Sequence, residues 1–149
     1  MSIKVAPTGH SRILSVGTYR PKRAVPNSEI VDRIDSTDKW IVQRTGIESR
    51  RFAGDDETVI SMAKAACEMA LKRAKLSIED IDTVILSTIS YPFQAPSAAT
   101  ELINELGNPK AAAFDISAAC AGFCYGVAMA SDLVRSGTSR NVLVIGVEK

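Results

Sequence analysis

The 149-residue chain holds one histidine, one tryptophan and three cysteines, and its net charge is only +1. Each scarcity removes a class of chemistry. With His10 alone, no imidazole cluster can hold a metal. A Cys–His pair within the chain would have to use a residue of the polar N-terminal stretch, which is a poor seat for a catalytic base. The cysteines, at 67, 120 and 124, are odd in number and include no Cys-x-x-Cys. They read as reduced thiols of a cytoplasmic protein, not as a disulfide framework or a zinc site, and no metal is expected. A charge near zero gives no field that would gather nucleic acid. No apolar run approaches the roughly 20 residues of a membrane span. Residues 1–10 are polar and lack the apolar centre of a signal peptide, so they read as a flexible leader ahead of one domain, 11–149. No glycine-rich phosphate loop follows a strand, since Gly17 and Gly54 stand alone.

Apolar residues make up 46% of the chain and charged residues 23%, the balance of a soluble globular protein with room for one core or part of a larger one. Arg12–Thr18 reads as a first strand. Asn27 reads as the cap of a short helix over 28–34, with Glu29 in its first turn. Thr37 or Asp38 opens a second helix that ends near Gly46, and 48–53 is extended. The clearest helix is Thr58–Lys75, where Val59, Met62, Ala63, Ala66, Met69 and Ala70 recur at helical spacing. Ser77–Asp80 is a single turn. Thr83–Ile89 is an almost unbroken apolar run, the pattern of a strand covered on both faces. Pro96 suits the first turn of a helix that Gly107 stops. A strand over 111–116, a helix over 121–136 ended by Gly137, and a strand over 141–147 complete the order. Strands alternating with helices argue an α/β layer built on a mostly parallel sheet.

Cys120 lies where the strand over 111–116 turns into the following helix. Unpaired N–H groups at a helix start favour a thiolate, the nucleophilic form of the side chain. A buried structural cysteine fits the residue type equally well. The helix that follows is apolar on every side (Phe123, Cys124, Tyr125, Val127, Ala128, Met129, Leu133 and Val134), so it reads as buried, with Cys124 in the core. Cys67 reads as a small core residue of the long helix.

Asp115-Ile-Ser-Ala-Ala-Cys120-Ala-Gly-Phe123 resembles the active-site segment of β-ketoacyl-ACP synthase III, of the thiolase-like superfamily. Trp40-Ile-Val-Gln-Arg44-Thr-Gly-Ile47 resembles that family's coenzyme A-binding segment. Tyr19-Arg-Pro21 with Val25-Pro-Asn27 resembles its N-terminal signature, and Ala95-Pro-Ser-Ala-Ala99 the start of a helix near its acyl tunnel. The segments occur in the family's order along nearly the whole chain. The resemblance implies the first half of a layered α-β-α-β-α fold with a mixed, mostly parallel sheet. It implies an acyltransferase that starts fatty-acid synthesis by condensing an acyl-CoA primer with malonyl-acyl carrier protein (malonyl-ACP). Cys120 would be the nucleophile, and Ala95 would lie at the acyl channel. No cofactor is implied, because acyl-CoA is a substrate, and the expected assembly is a homodimer. The family's catalytic histidine and asparagine belong to a second half that these residues do not include, so the chain alone is expected to be inactive.

Trp40 and Arg44 are four residues apart, hence on one face of a short helix. An aromatic plane and a guanidinium there can stack on the adenine of CoA. A core tryptophan beside a surface arginine is the plainer alternative. Two rivals to the whole reading stand beside it. One is another thiolase-like condensing enzyme, of polyketide, quinolone or hydroxymethylglutaryl-CoA synthesis. The other is a catalytically silent half-domain that only dimerises.

Overall fold

The computed structural model describes residues 9–149. Residues 1–8 of the expected leader lie outside them. The chain divides into two compact units, 20–58, and 59–149 together with the segment that ends at Tyr19.

In the smaller unit, β1 (Arg23–Pro26) pairs antiparallel with β2 (Ser49–Phe52), placing Val25 opposite Arg50. Helix α1 (Asp38–Thr45) lies between them in sequence. It begins as expected: the Thr37 hydroxyl accepts the Trp40 N–H at 3.2 Å. It ends at Gly46, whose φ of 69° is the left-handed conformation that glycine adopts without strain. The helix expected over 28–34 is replaced by two 3₁₀ turns, Asn27–Glu29 and Val31–Arg33. Asn27 does not cap a helix. Its side chain is buried and bonds Asp38, Ile47 and Arg50 instead. A segment this short, deprived of its cap, does not sustain an α-helix.

The larger unit holds α2 (Val59–Ala74), which buries Val59, Ile60, Met62, Ala63, Cys67 and Leu71. Of the face expected from the spacing, Val59, Met62 and Ala63 are buried, but Ala66 and Ala70 are half-buried and Met69 is exposed, so the helix is turned to bury Ile60, Cys67 and Leu71 instead. A turn follows in which the Asp80 carboxylate accepts the Ser77 N–H at 2.9 Å and its hydroxyl at 3.0 Å. Then come β3 (Thr83–Ser87), α3 (Ala98–Leu106), β4 (Ala112–Ile116), α4 (Gly122–Arg135) and β5 (Val142–Gly146). The three strands form a parallel sheet in the order β4-β3-β5, with Ile85 between Phe114 and Val144.

Strand β3 is buried along its whole length, which explains its unbroken apolar run. Val84 and Leu86 face one way, into a core with Cys67, Leu71, Leu102, Ile103 and Ile145. Ile85 faces the other way, toward Gly126 of α4. Helices α2 and α3 therefore cover one face of the sheet and α4 the other, as an α/β layer requires. Ile85, Leu86 and Leu102 lose all solvent exposure, and each such side chain contributes about 1.5–3 kcal/mol by leaving water.

Two expectations fail here. Arg12–Thr18 is not a strand. A strand needs a ladder with a neighbouring strand, and among the described residues none pairs with it. Its bonds run to α2 instead: Ser15 Oγ donates to the Ala70 carbonyl at 2.7 Å, and Arg73 Nη1 to that of Val16 at 2.6 Å. Helix α4 is not buried all round either. Its sheet-facing side is covered, while Tyr125 and Met129 are 57% and 42% exposed. Cys124 is exposed with them rather than in the core. An all-apolar helix can be buried on every side, but it becomes so only where something covers each side.

Candidate active site

Cys120 sits in a 3₁₀ turn, Ala119–Ala121, between the end of β4 and the start of α4, and its thiol is exposed. The turn is strained. Ala119 has a φ of 45°, a left-handed conformation that costs a residue with a Cβ on the order of 1 kcal/mol or more. Such strain is held in place only by firm surroundings, and two supports are visible. Gly122 lies against β3 so closely that a Cβ there would stand 1.9 Å from Ser87 Oγ. One turn on, a Cβ on Gly126 would meet Val144 at 2.9 Å. Glycine at both positions lets α4 settle onto the sheet directly after the Cys120 turn.

Asp115 forms the second support. Its carboxylate accepts the N–H groups of Ala98 and Ala99 at 2.8 and 2.7 Å, so a residue of β4 caps the start of α3. Ser97 caps the same end through the Thr100 N–H at 3.2 Å. The segment that carries Ala95 is thereby tied to the strand that leads into Cys120. Ala95 itself is exposed. Just before it, Tyr91 and Phe93 stack edge to face, with ring centroids 5.7 Å apart. The Tyr91 hydroxyl donates to Glu101. That hydrogen bond, then burial, then the charges of Glu101 and Asp115, push the phenol up to about 12.

Glu148 is a third organiser of this end of the sheet. Its carboxylate accepts the Ile89 N–H at 3.0 Å and the Ser90 hydroxyl at 2.6 Å, fastening the end of β5 to the segment after β3. Sequence reasoning gave no role to Asp115, Ser87 or Glu148. An acidic or hydroxyl residue at a strand's carboxyl end was the only available signal.

The location is chemically suited to a site. Strands β3 and β4 are neighbours, yet the helices that follow them lie on opposite faces of the sheet. Ligands of open α/β sheets bind in the crevice that this arrangement leaves outside the carboxyl ends of the strands. Cys120 lies at that end. A separate surface hollow lined by Ile81, Asp82, Asn108 and Lys110 lies at the amino end and holds none of the expected residues. Among the described residues, no group of three or more His, Cys, Asp or Glu side chains could hold a metal.

Cys67 is set apart from this chemistry. It is 3% exposed, and burial, with the charge of Glu68 adding, pushes its thiol from 9.0 to about 12. Cys124 shares the open side of α4 with Tyr125 and Met129.

In the smaller unit, Trp40 is 54% exposed and lies outside the core formed by the described residues. The Arg44 guanidinium carbon lies 5.7 Å from the Trp40 ring centroid, within cation–π reach. The pair is together on one open helix face, as the spacing predicted.

The family model of 3-oxoacyl-[acyl-carrier-protein (ACP)] synthase III matches residues 114–149, which hold Asp115, Cys120 and α4. A β-ketoacyl-[acyl-carrier-protein] synthase III of Kocuria rhizophila is 53% identical over 143 residues, 96% of this chain and 40% of that protein. The chain belongs to the β-ketoacyl-ACP synthase III family. Its fold agrees. The 3-oxoacyl-[acyl-carrier-protein] synthase III of Aquifex aeolicus VF5 superposes with a TM-score of 0.87 at 42% identity, over 92% of this chain and 44% of that one. The priming β-ketosynthase of the R1128 polyketide pathway superposes with a TM-score of 0.91 at 45% identity, over 99% of this chain and 44% of that one. The thiolase-like α/β reading is thus confirmed. The chain spans about two fifths of the length of the relatives it matches.

Proposed function

We propose that this chain is the nucleophile-bearing part of a β-ketoacyl-ACP synthase III that starts fatty-acid synthesis. The observation that carries the reading is the exposed Cys120 thiol in a strained turn at the carboxyl end of β4, in a chain of this family. The Cys120 thiolate attacks the carbonyl carbon of an acyl-CoA. The C–S bond to CoA breaks, and CoA leaves as a thiol that takes up one proton. Exchange between thioesters is nearly isoenergetic, so the acyl group stays activated on the enzyme. Malonyl-ACP then loses CO2, and its carbanion attacks the acyl carbon. A 3-oxoacyl-ACP forms, and the Cys120 thiolate is released. The Cys120 N–H supplies one arm of the oxyanion hole in both steps. Decarboxylation is left to a histidine and an asparagine outside these 149 residues.

Trp40 and Arg44 hold the nucleotide end of CoA, by stacking and by the guanidinium's fork of donors. Ala95 is small and leaves the acyl channel open to longer or branched primers. A strict preference for acetyl-CoA would count against that. The working form is a cytoplasmic homodimer with no metal and no cofactor, since acyl-CoA is consumed as a substrate.

The test is mass spectrometry of the full-length protein after incubation with acyl-CoA. The peptide that holds Cys120 should gain the acyl mass, and a Cys120→Ser variant should not. Acyl transfer to another residue, or acyl-enzyme in the variant, would refute the assignment. Likeness to a polyketide priming synthase favours a second reading, in which the acyl-enzyme primes a polyketide. Product analysis with the two pathways' carrier proteins separates the two.

A further inference from the structure

Helix α1 carries both Trp40 and Arg44, yet Ile41 is its one buried side chain among eight residues. A helix this short is not stable by itself, and one buried side chain fixes neither its rotation nor its position. Polar tethers must do so, and they converge on Asn27. Its Nδ2 donates to Asp38 Oδ1 at 2.8 Å, at the first residue of α1. The same nitrogen donates to the Ile47 carbonyl at 2.8 Å, just beyond the helix end. The Asn27 backbone N–H donates to the Glu48 carbonyl at 3.2 Å, and its Oδ1 accepts from Arg50 Nη2 at 2.8 Å. One amide orientation alone satisfies these partners. Flipped, its oxygen would face a carboxylate and a carbonyl, and its NH2 would face a guanidinium. Asn27 is 1% exposed, so water does not replace a lost partner. One buried NH2 group therefore holds both ends of α1.

Resting on the reading of Trp40 and Arg44 as the clamp for the nucleotide end of CoA, the geometry points to Asn27 as the positioning residue of that clamp. Its NH2 sets the pose in which α1 presents the Trp40–Arg44 face to an adenine ring. Asn27 itself touches no substrate. Stacking depends on the plane of the indole, so a loosened α1 weakens binding of the nucleotide. The thioester end and the Cys120 chemistry are left as they were.

The experiment uses the full-length protein. Asn27→Asp keeps the acceptor for Arg50, removes both side-chain donors and sets a second carboxylate beside Asp38. Asp38→Ala removes only the tether at the helix start, at an exposed residue, and Asp38→Asn keeps an oxygen that can still accept. KM and kcat are measured with an acyl-CoA and with the same acyl group on N-acetylcysteamine, alongside Trp40→Ala. In Asn27→Asp, KM for acyl-CoA should rise about tenfold, the scale of a lost buried hydrogen bond. Asp38→Ala should show a smaller rise and Asp38→Asn nearly none, and the short thioester should be unaffected in all three. Equal losses on both substrates would overturn the proposal in favour of a merely structural role. Unchanged KM values while Trp40→Ala still loses acyl-CoA selectively would overturn it and leave the clamp standing. A Trp40→Ala variant without selective loss would remove the clamp and this proposal together. If Asn27→Asp does not fold, the two Asp38 variants decide by the same criteria.

Discussion

The carboxylate of Asp115, within β4, accepts the backbone N–H of Ala98 at 2.8 Å and so closes the start of α3. A second bond, to Ala99, makes the cap two-pronged. A carboxylate at a helix start satisfies N–H groups that the helix cannot, and it also meets the positive end of the helix dipole. Asp115→Ala should therefore destabilise the protein by about 1–2 kcal/mol. Asp115→Asn, which keeps one acceptor, should lose less. Urea unfolding of the two variants checks the order, and equal stability of Asp115→Ala and the parent would refute the cap.

Gly122 offers a second test of how the Cys120 turn is held. A Cβ at this position would stand 1.9 Å from Ser87 Oγ and 3.0 Å from Ser87 Cβ. Gly122→Ala should cost about 1–3 kcal/mol by overpacking. It should also slow acylation of Cys120, two residues away. Replacing Ser87 with alanine removes the closest atom, so the double variant should recover part of the lost stability. Strict additivity of the two changes in denaturant unfolding would show that the strain does not pass through Ser87.

The elements that the sequence disclosed are those whose stabilising interactions are local. Helix α2 followed from its period, α1 from Thr37 and Gly46, and β3 from an apolar run that only two covered faces explain. The Trp40–Arg44 pairing followed from a four-residue spacing. Legibility ended where the partner is distant. Whether Arg12–Thr18 forms a strand depends on a neighbour that no local pattern names. Asn27 has the residue type of a cap, yet its partners at 38, 47 and 50 lie well along the chain. Asp115 and Glu148 organise the site through residues 16 to 59 positions away. For α4, composition measured how apolar the helix is, whereas exposure depends on what covers it.

The three thiols should separate by accessibility. Cys120 and Cys124 are exposed and Cys67 is buried. Iodoacetamide at pH 8 should label the first two in the folded monomer, obtained with Tyr125→Gln and Met129→Gln, and Cys67 only in denaturant. Cys124, not Cys67, is then the proper control for activation of Cys120: a silent half-domain would label both at the same rate. Burial also gives Cys67 a pH signature. Its folded pKa, about 12, lies above the ordinary 9.0. Between these values the unfolded thiol gives up its proton while the folded one keeps it. Stability contributed by the protonated Cys67 is therefore full below pH 9 and lost as pH rises toward 12, at about 1.4 kcal/mol per pH unit. Cys67→Ala should flatten the decline between pH 9 and 10.5 relative to the parent, and parallel declines would contradict the assignment.

The outer side of α4 predicts self-association of the 149-residue polypeptide. Cys124, Tyr125, Ala128 and Met129 recur at the spacing of one helix face, and all four are exposed. Tyr125 and Met129 are 57% and 42% exposed, although both are side chains that gain by leaving water. Monomeric soluble proteins rarely leave a contiguous apolar patch open. The sheet adds to the tendency: β4 and β5 are both edge strands among the described residues, and unpaired edges recruit further strands. On size-exclusion chromatography the polypeptide should elute as a dimer or larger species. Tyr125→Gln with Met129→Gln should shift it toward the monomer. Those changes leave the sheet-facing Gly122 and Gly126 untouched, so the helical circular dichroism should persist. If the double variant keeps the elution volume of an associated parent, the sheet edges rather than α4 drive association. A parent that remains monomeric at about 100 μM, well inside the micromolar-to-millimolar range in which exposed apolar surface causes association, would refute the prediction.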